Sequence, residues 1–483
     1  MLPHLPDEIL VNIFSSFSPT PRNYLEDGVY KPDYTEAEAR HTLVALTKCT
    51  RKLRPAATAC LYRTVVLHDL GTFFLFLRTV IRADDLAKRV RVLWIPTFFF
   101  HDMLGDFSEA ESESIVANIA SHLEAYTHMA CCFGDLSNPR MFGESSCCLL
   151  LCLATNVETF FLSYSGTLEG DYAYRVLAPF FEKSYLDGFP LLPSPRSLSV
   201  SAQDPEEPGG LALLPRQFTP LLGSGKISHL ELFEPVFNDD TVKPEHWGAV
   251  ESLRCWYILS ALSPSLQKMH RLARAPLRKL DVIFAIEEAL REEYDFNDSV
   301  ALFADTLESL SLSLYPTMTH PIVAIGLTCL AQLSNLKELD ISATFLFQSF
   351  DAMESADICS MLPASLQKMR FDETHSTRED CWNGSFLDDL TCRDRDGDWA
   401  YVDYVKALKK HVRALVRKSA ERLPELRTVQ LTVPRDDNSA HVEEICSLGR
   451  IEFDETSDGV ETLSVRCRTK QAEARDAVMA LAV

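Results

Sequence analysis

The chain has 483 residues, of which 46 % are hydrophobic and 24 % charged, proportions that are typical of soluble globular proteins. Its 47 basic and 69 acidic side chains give a formal charge of −22, which repels phosphate backbones and disfavours nucleic-acid binding except at a local basic patch. The apolar runs are far shorter than the roughly 20 residues of a membrane span, so no membrane insertion is predicted. The 14 cysteines, without a leader-like segment, indicate a reducing compartment and therefore a cytoplasmic or nuclear protein.

Three amphipathic helical segments are predicted near the N-terminal end. The first opens at Pro6, whose missing N–H would have no helical partner, and continues with Asp7 and Glu8, where the helix dipole favours negative charge. Two more are predicted at 39–49 and 51–61. The apolar face of the first segment comprises Ile9, Leu10, Ile13, Phe14 and Phe17. So small a unit cannot bury all of this surface, so part of it is expected to contact another molecule.

The same stretch carries a motif in three parts. It reads Leu5-Pro6-x-Glu8-Ile9-Leu10, then Leu43-x-x-Leu46-x-x-Cys49 with Leu53, then Leu61-Tyr62-Arg63-x-Val65-Val66-Leu67. This pattern resembles an F-box of the filamentous-fungal type. Two features depart from that family: residues 18–35 lengthen the link between the first two helices, and Leu53 lies near the place of the usual tryptophan. An ordinary helical cap on the following repeats is the alternative.

From residue 88 onward a motif of the form apolar-x-x-apolar-x-apolar returns eleven times. From residue 227 its first positions step by 23, 27, 30, 29, 30, 60 and 34 residues. Except for the step of 60, which is two periods or one long insertion, these lie within or just above the period of about 20–29 that leucine-rich repeats show. The members are Val90-Leu93-Ile95, Val157-Phe160-Leu162, Pro195-Leu198-Val200, Ile227-Leu230-Leu232, Val250-Leu253-Cys255, Leu277-Leu280-Val282, Leu307-Leu310-Leu312, Leu336-Leu339-Ile341, Leu366-Met369-Phe371, Leu426-Val429-Leu431 and Val460-Leu463-Val465.

Each motif predicts a short strand, and helix-like returns such as 286–296 and 402–423 separate the strands. Because tight hairpin turns are missing, a parallel sheet of at least eight strands in chain order is predicted. The fold class is therefore α/β: a small helical F-box-like domain at 1–68, followed by a leucine-rich-repeat-like solenoid with a curved parallel sheet at 69–483. An irregular α/β protein without a continuous solenoid is the alternative. The leucines expected in one buried row are Leu230, Leu280, Leu310 and Leu339.

Alternate strand residues point to the opposite face of the sheet. The residues expected there include Trp94, Phe161, Asp340 and Arg370. Aromatic residues and arginine dominate binding energy at protein interfaces, so the best target-binding candidates lie on three successive strands. They are Phe233, Arg254, Trp256, Asp281 and Ile283. Packing of these side chains beneath a neighbouring loop is the alternative.

The F-box resemblance implies a non-catalytic receptor of an SCF-type cullin–RING ubiquitin ligase. Its F-box would dock on a Skp-type adaptor joined to the cullin, and the repeats would hold an unidentified protein target. A repeat scaffold without a ligase link is the alternative. We expect Leu5, Ile9 and Leu10 to be more exposed than the repeat leucines. The adaptor contacts carried over by position are Leu5, Pro6, Ile9, Leu10, Ile13, Leu43, Leu46, Cys49 and Leu53.

No catalytic motif is evident in the sequence. Gly223 to Lys226 resembles a phosphate loop, but Ile227 stands where a hydroxyl must hold magnesium. The closely spaced cysteines, among them Cys147, Cys148 and Cys152, lack the paired spacing of zinc sites and are expected to be buried thiols. We therefore expect neither enzymatic activity nor a metal or other cofactor.

Overall fold

A computed structural model describes most of the chain, and the described residues form two compact units. One unit comprises Met1–Phe233 with Asn238–Ala249, and the other Glu234–Phe237 with Val250–Val483. The described residues are 5–17, 34–67, 70–98, 109–123, 139–165, 196–203, 226–233, 249–258, 275–284, 296–314, 326–347, 350–372, 421–434, 450–455 and 460–466, with shorter pieces between 266 and 271 and between 407 and 418.

The first unit opens with three helices, α1 (Asp7–Ser15), α2 (Tyr34–Cys49) and α3 (Arg54–Leu61). Pro6 precedes α1, and Asp7 and Glu8 occupy its first turn, as the sequence predicts. The helices enclose a small apolar core of their own, so we call them the helical cluster. The buried residues of that core are Leu10, Phe14, Leu43, Leu53, Ala56, Ala57 and Cys60.

Five parallel strands follow in chain order within the same unit. Their central residues are aligned across neighbouring strands: Leu93 pairs with Phe160, Phe160 with Leu198, and Leu198 with Leu230. The strands are β1 (Thr64–Val66), β2 (Val92–Phe98), β3 (Thr159–Ser165), β4 (Ser197–Gln203) and β5 (His229–Phe233), and the helices between them are α4 (Leu70–Arg82), α5 (Asp84–Ala87), α6 (Glu109–Leu123) and α7 (Pro139–Leu153).

The second unit contains six further parallel strands. The described returns include the helices Phe296–Ala301 and Phe350–Ser355. The predicted return at 286–296 lies, except for Phe296, outside the described residues. The parallel strands are β6 (Ser252–Ile258), β7 (Lys279–Phe284), β8 (Ser309–Leu314), β9 (Glu338–Ile341), β10 (Lys368–Asp372) and β11 (Thr428–Pro434). The α/β class is thus confirmed, as is the parallel order of the strands within β1 to β5 and within β6 to β11.

The predicted buried row is present. Leu280 pairs with Leu310, Leu310 pairs with Leu339, and all three are buried. Leu230, the fourth member, is buried in the first unit beside Leu198. Register is set by this burial, because a slip of one residue would turn these leucines to the opposite face.

Asparagine side chains connect successive repeats at equivalent positions. Asn156 precedes the first apolar residue of its motif and donates its Nδ2–H to the carbonyl oxygen of Lys88, at 2.6 Å. Asn335 occupies the same place in the second unit and donates to the carbonyl of Asp305. Both acceptors lie two residues before the first apolar position of the preceding motif, so the bond recurs with the repeat.

The last predicted strand departs from the parallel order. β13 (Val460–Arg466) runs antiparallel to β11 and pairs on its other side with β12 (Arg450–Glu455), a strand that the motif did not predict. Only four residues separate β12 from β13. A parallel crossover needs roughly a dozen residues or more, so this pair is a hairpin.

Candidate protein-interaction surfaces

The helical cluster divides the predicted adaptor-binding residues into a buried and an exposed group. Leu10 is fully buried, so the expectation that it is exposed is wrong. The reason is that Leu10 and Phe14, one turn apart, form the stripe of α1 that closes the cluster core. The other buried members are Leu43 and Leu53, and the members half-buried against the core are Leu5 and Leu46.

The exposed group lies mainly on α1. Ile9 and Ile13 are 44 % and 36 % exposed, and their spacing of four residues places them on one face of the helix. Pro6 at the start of α1 and Cys49 at the end of α2 are exposed as well. We call Ile9 and Ile13 the isoleucine pair. Single exposed apolar residues are common, but two adjacent ones on a short helix form a strip suited to contact with a partner.

The second candidate surface is a row of polar residues across β6 to β10. Strand register aligns Arg254, Asp281, Ser311, Asp340 and Arg370, all of them half-buried. The Nε atom of Arg254 lies 2.9 Å from Oδ2 of Asp281, and Nη1 of Arg370 donates to Oδ2 of Asp340 at 3.4 Å. We call these five residues the polar row. Two of them, Arg254 and Asp281, are predicted target-binding residues, and the structure places them in direct contact.

The centre of the polar row is electrostatically unusual. Burial raises the pKa of Asp281, while the charge of Arg254 and a hydrogen bond from Ser311 act in the opposite direction. Burial thus outweighs these two neighbours and disfavours the ionised form of Asp281. Ser311 was not predicted as a site residue, although it occupies the same motif position as Asp281 on the next strand, and that equivalence is the signal that would have found it.

The apolar candidates for target binding are described only in part. Ile283 is half-buried on β7 and its backbone pairs with that of Trp256 on β6. The side chains of Trp256 and Phe233 lie outside the described part of the structure, so their place in an apolar patch stays a prediction.

Two residues expected on the open face are instead buried. Trp94 and Phe161 are only 4 % and 6 % exposed, and their ring centroids are 4.6 Å apart. Strand alternation places them opposite the leucine rows correctly, but that face is covered here. The expectation that they are exposed is therefore wrong, and the half-buried polar row of the second unit is the better candidate for contact with a target.

The clustered thiols are buried, as the sequence predicts for Cys147, Cys148 and Cys152. Burial raises the pKa of the Cys152 thiol to about 12, so this thiol stays protonated at neutral pH. Within the described residues, no group of three or more His, Cys, Asp or Glu side chains is arranged to hold a metal ion. In the same part of the chain, no helix has the length and apolarity needed to cross a membrane.

Comparison with known proteins adds no relative. No protein-family model matches the chain, and no curated protein or solved structure is significantly similar to it. The F-box resemblance therefore rests on the motif residues alone.

Proposed function

We propose that this protein is a substrate receptor of an SCF-type ubiquitin ligase, acting in the cytoplasm or nucleus. The isoleucine pair carries the proposal. On one short helix, Leu10 and Phe14 close a helical core while Ile9 and Ile13 remain exposed. Such a helix is folded without its partner and still offers an apolar strip. The motif around it resembles that of an F-box, so the partner is expected to be a Skp-type adaptor bound to a cullin.

The strand array would hold the target protein. The inter-repeat asparagine bonds and the aligned apolar rows support a leucine-rich-repeat-like solenoid with a curved sheet. Its polar row offers charged donors and acceptors in fixed register, which suits orientation of a bound protein through charge-assisted hydrogen bonds. Ile283, Trp256 and Phe233 would add apolar contact. The receptor would hold the target near the ubiquitin-conjugating enzyme and would perform no bond chemistry itself.

The isoleucine pair gives the most direct test. We expect Ile9→Ala with Ile13→Ala to weaken binding to a Skp-type adaptor about thirtyfold, because interface anchors typically contribute about 2 kcal/mol. Both side chains are exposed, so the thermal unfolding transition should stay nearly unchanged. Adaptor affinity is measured by calorimetry on the full chain, and co-purification of adaptor and cullin is followed in parallel.

Leu75→Ala is the matched control. Leu75 lies on α4 of the same unit and is 54 % exposed, so this change also removes an exposed aliphatic side chain. It should leave adaptor binding intact. If the wild-type chain binds no adaptor, or the isoleucine variant binds as tightly as Leu75→Ala, the repeat scaffold without a ligase link becomes the better account.

A further inference from the structure

The helical cluster has a second exposed surface, and it is basic. Between Glu38 and Asp69 the chain has six Arg and Lys residues and no Asp or Glu, although acidic residues outnumber basic ones by 69 to 47 in the whole chain. Four of the six lie within seven residues at the turn between α2 and α3, and all four are exposed. We call them the basic patch: Lys48, Arg51, Lys52 and Arg54.

Contacts hold the basic patch beside α1. Nζ of Lys52 lies 3.4 Å from Oδ1 of Asp7, in the first turn of the helix that carries the isoleucine pair. Nε of Arg54 donates to the carbonyl oxygen of Thr47 at 3.1 Å, which fastens the turn to the end of α2. Among the residues that the structure describes, Lys48 and Arg51 form no ion pair with a carboxylate. Their charge is therefore available to a partner.

We propose that the partner of the helical cluster presents an acidic surface beside an apolar recess. The isoleucine pair would enter the recess, and the basic patch would face carboxylates at its rim. This arrangement matches protein interfaces, whose apolar centre is surrounded by a polar rim, and rim charges set the association rate and the choice of partner. The inference rests on the proposed function for the partner's role, but it concerns the partner's charge.

Nucleic acid is the other polyanion that the basic patch could attract. Duplex DNA carries one charge per roughly 1.7 Å, so it would be repelled by the rest of a chain whose formal charge is −22. The isoleucine pair also has no counterpart on a phosphate backbone. An acidic protein surface satisfies both the charge and the apolar strip, so it is the occupant that the observations favour.

Charge reversal tests the proposal on the full chain. Lys48→Glu with Arg51→Glu should weaken binding of a purified Skp-type adaptor about tenfold at low salt, chiefly by slowing association. At about 0.5 M NaCl the loss should largely disappear, because the screening length is then only a few ångströms. The matched control is Arg78→Glu with Arg82→Glu, which changes two exposed basic residues on α4 and alters net charge equally. The control should bind within about twofold of wild type, as expected for charges outside an interface.

Two further probes separate this proposal from the proposed function. A fluorescent deca-glutamate peptide and a 10-base-pair duplex DNA are titrated against the same three proteins. Peptide binding that the Lys48/Arg51 variant loses and the control keeps supports the acidic partner, even if the wild-type chain binds no Skp-type adaptor. The proposal would be overturned if all three proteins bound the adaptor with the same affinity and also bound the peptide with the same affinity. Tighter binding of the DNA than of the peptide would overturn it as well.

Discussion

At the scale of single residues, the second unit buries an ionisable side chain, His411, in surroundings that favour its neutral form. His411 lies in the predicted return at 402–423 and is almost fully buried. Its Nε2–H donates to the carbonyl oxygen of Met353 at 2.7 Å, and its ring stacks on Phe347. Burial, reinforced by Lys410, lowers the pKa of His411 below its usual 6.5, while the bond to Met353 acts in the opposite direction.

This environment predicts a pH dependence of stability. The unfolded chain binds a proton at His411 near pH 6.5, whereas the folded chain resists it, so the stabilising contribution is complete above pH 6.5 and is lost as the pH falls. His411→Gln keeps an N–H donor and does not titrate. We expect the stability difference between wild type and this variant to shrink as the pH is lowered from about 7.5 to about 5.5, measured by urea unfolding. A difference in the free energy of unfolding between the two proteins that stays constant over this pH range would contradict this explanation.

The sequence does not show which apolar residues of α1 face the core of the helical cluster. Helical spacing identified the apolar residues of α1, but it did not separate Leu10, which faces the cluster core, from Ile9, which faces outward. The two are adjacent in sequence and about 100° apart around the helix, so both belong to one broad apolar face. Only the positions of α2 and α3 decide which part of that face is covered.

At the scale of strands, three apolar positions per motif predict where the strands lie, and the missing hairpin turns predict that they are parallel. Burial of Leu307, just before β8, and of Leu310 and Leu312 within it, for example, requires a return that covers these positions. The motif does not predict the direction of a strand, because the alternation of apolar residues is the same in parallel and antiparallel strands. The antiparallel course of β13 follows from the short link at 456–459, which is a stronger signal than the apolar spacing.

Charged residues at the start of the strands reinforce the register. Arg278 bonds Glu308, directly before β8, and lies 4.0 Å from Glu251, directly before β6, while Nζ of Lys337 lies 2.6 Å from Oε2 of Glu308. Each pair is exposed to solvent, so its contribution to stability is small. The apolar rows therefore provide most of the stability, and the alternating charges disfavour a shifted pairing of like charges.

The apolar rows give a test at this scale. Leu310→Ala removes a fully buried side chain between Leu280 and Leu339 and should lower the free energy of unfolding by about 2–5 kcal/mol. Leu302→Ala, at a 39 % exposed leucine in the return before β8, should cost less than about 1 kcal/mol. Urea denaturation of the two variants checks the difference. Similar losses in both would contradict the burial of Leu310 between β7 and β9.

At the scale of the whole molecule, the two candidate surfaces belong to different compact units. The isoleucine pair lies in the first unit and the polar row in the second. Each surface is built on its own set of buried residues, one on the helical cluster and the other on the rows that include Leu253 and Leu280. The proposed receptor function requires two separate surfaces, because the adaptor and the target would have to be bound at the same time.

We therefore expect that target binding can be lost while adaptor binding is retained. Trp256→Ala, and separately Arg254→Ala with Asp281→Ala, should weaken target capture about tenfold or more, in the range of interface anchors, while adaptor affinity stays at the wild-type value. Removing Arg254 and Asp281 together leaves neither charge half-buried without its partner, so the fold should persist. Capture is measured with the target that the wild-type chain retains in pull-downs. Ubiquitin transfer to that target should slow in these variants and in the Ile9/Ile13 variant alike. Normal transfer by both sheet variants would exclude this face as the target surface, whereas loss of adaptor binding in either would show that the two surfaces are not independent.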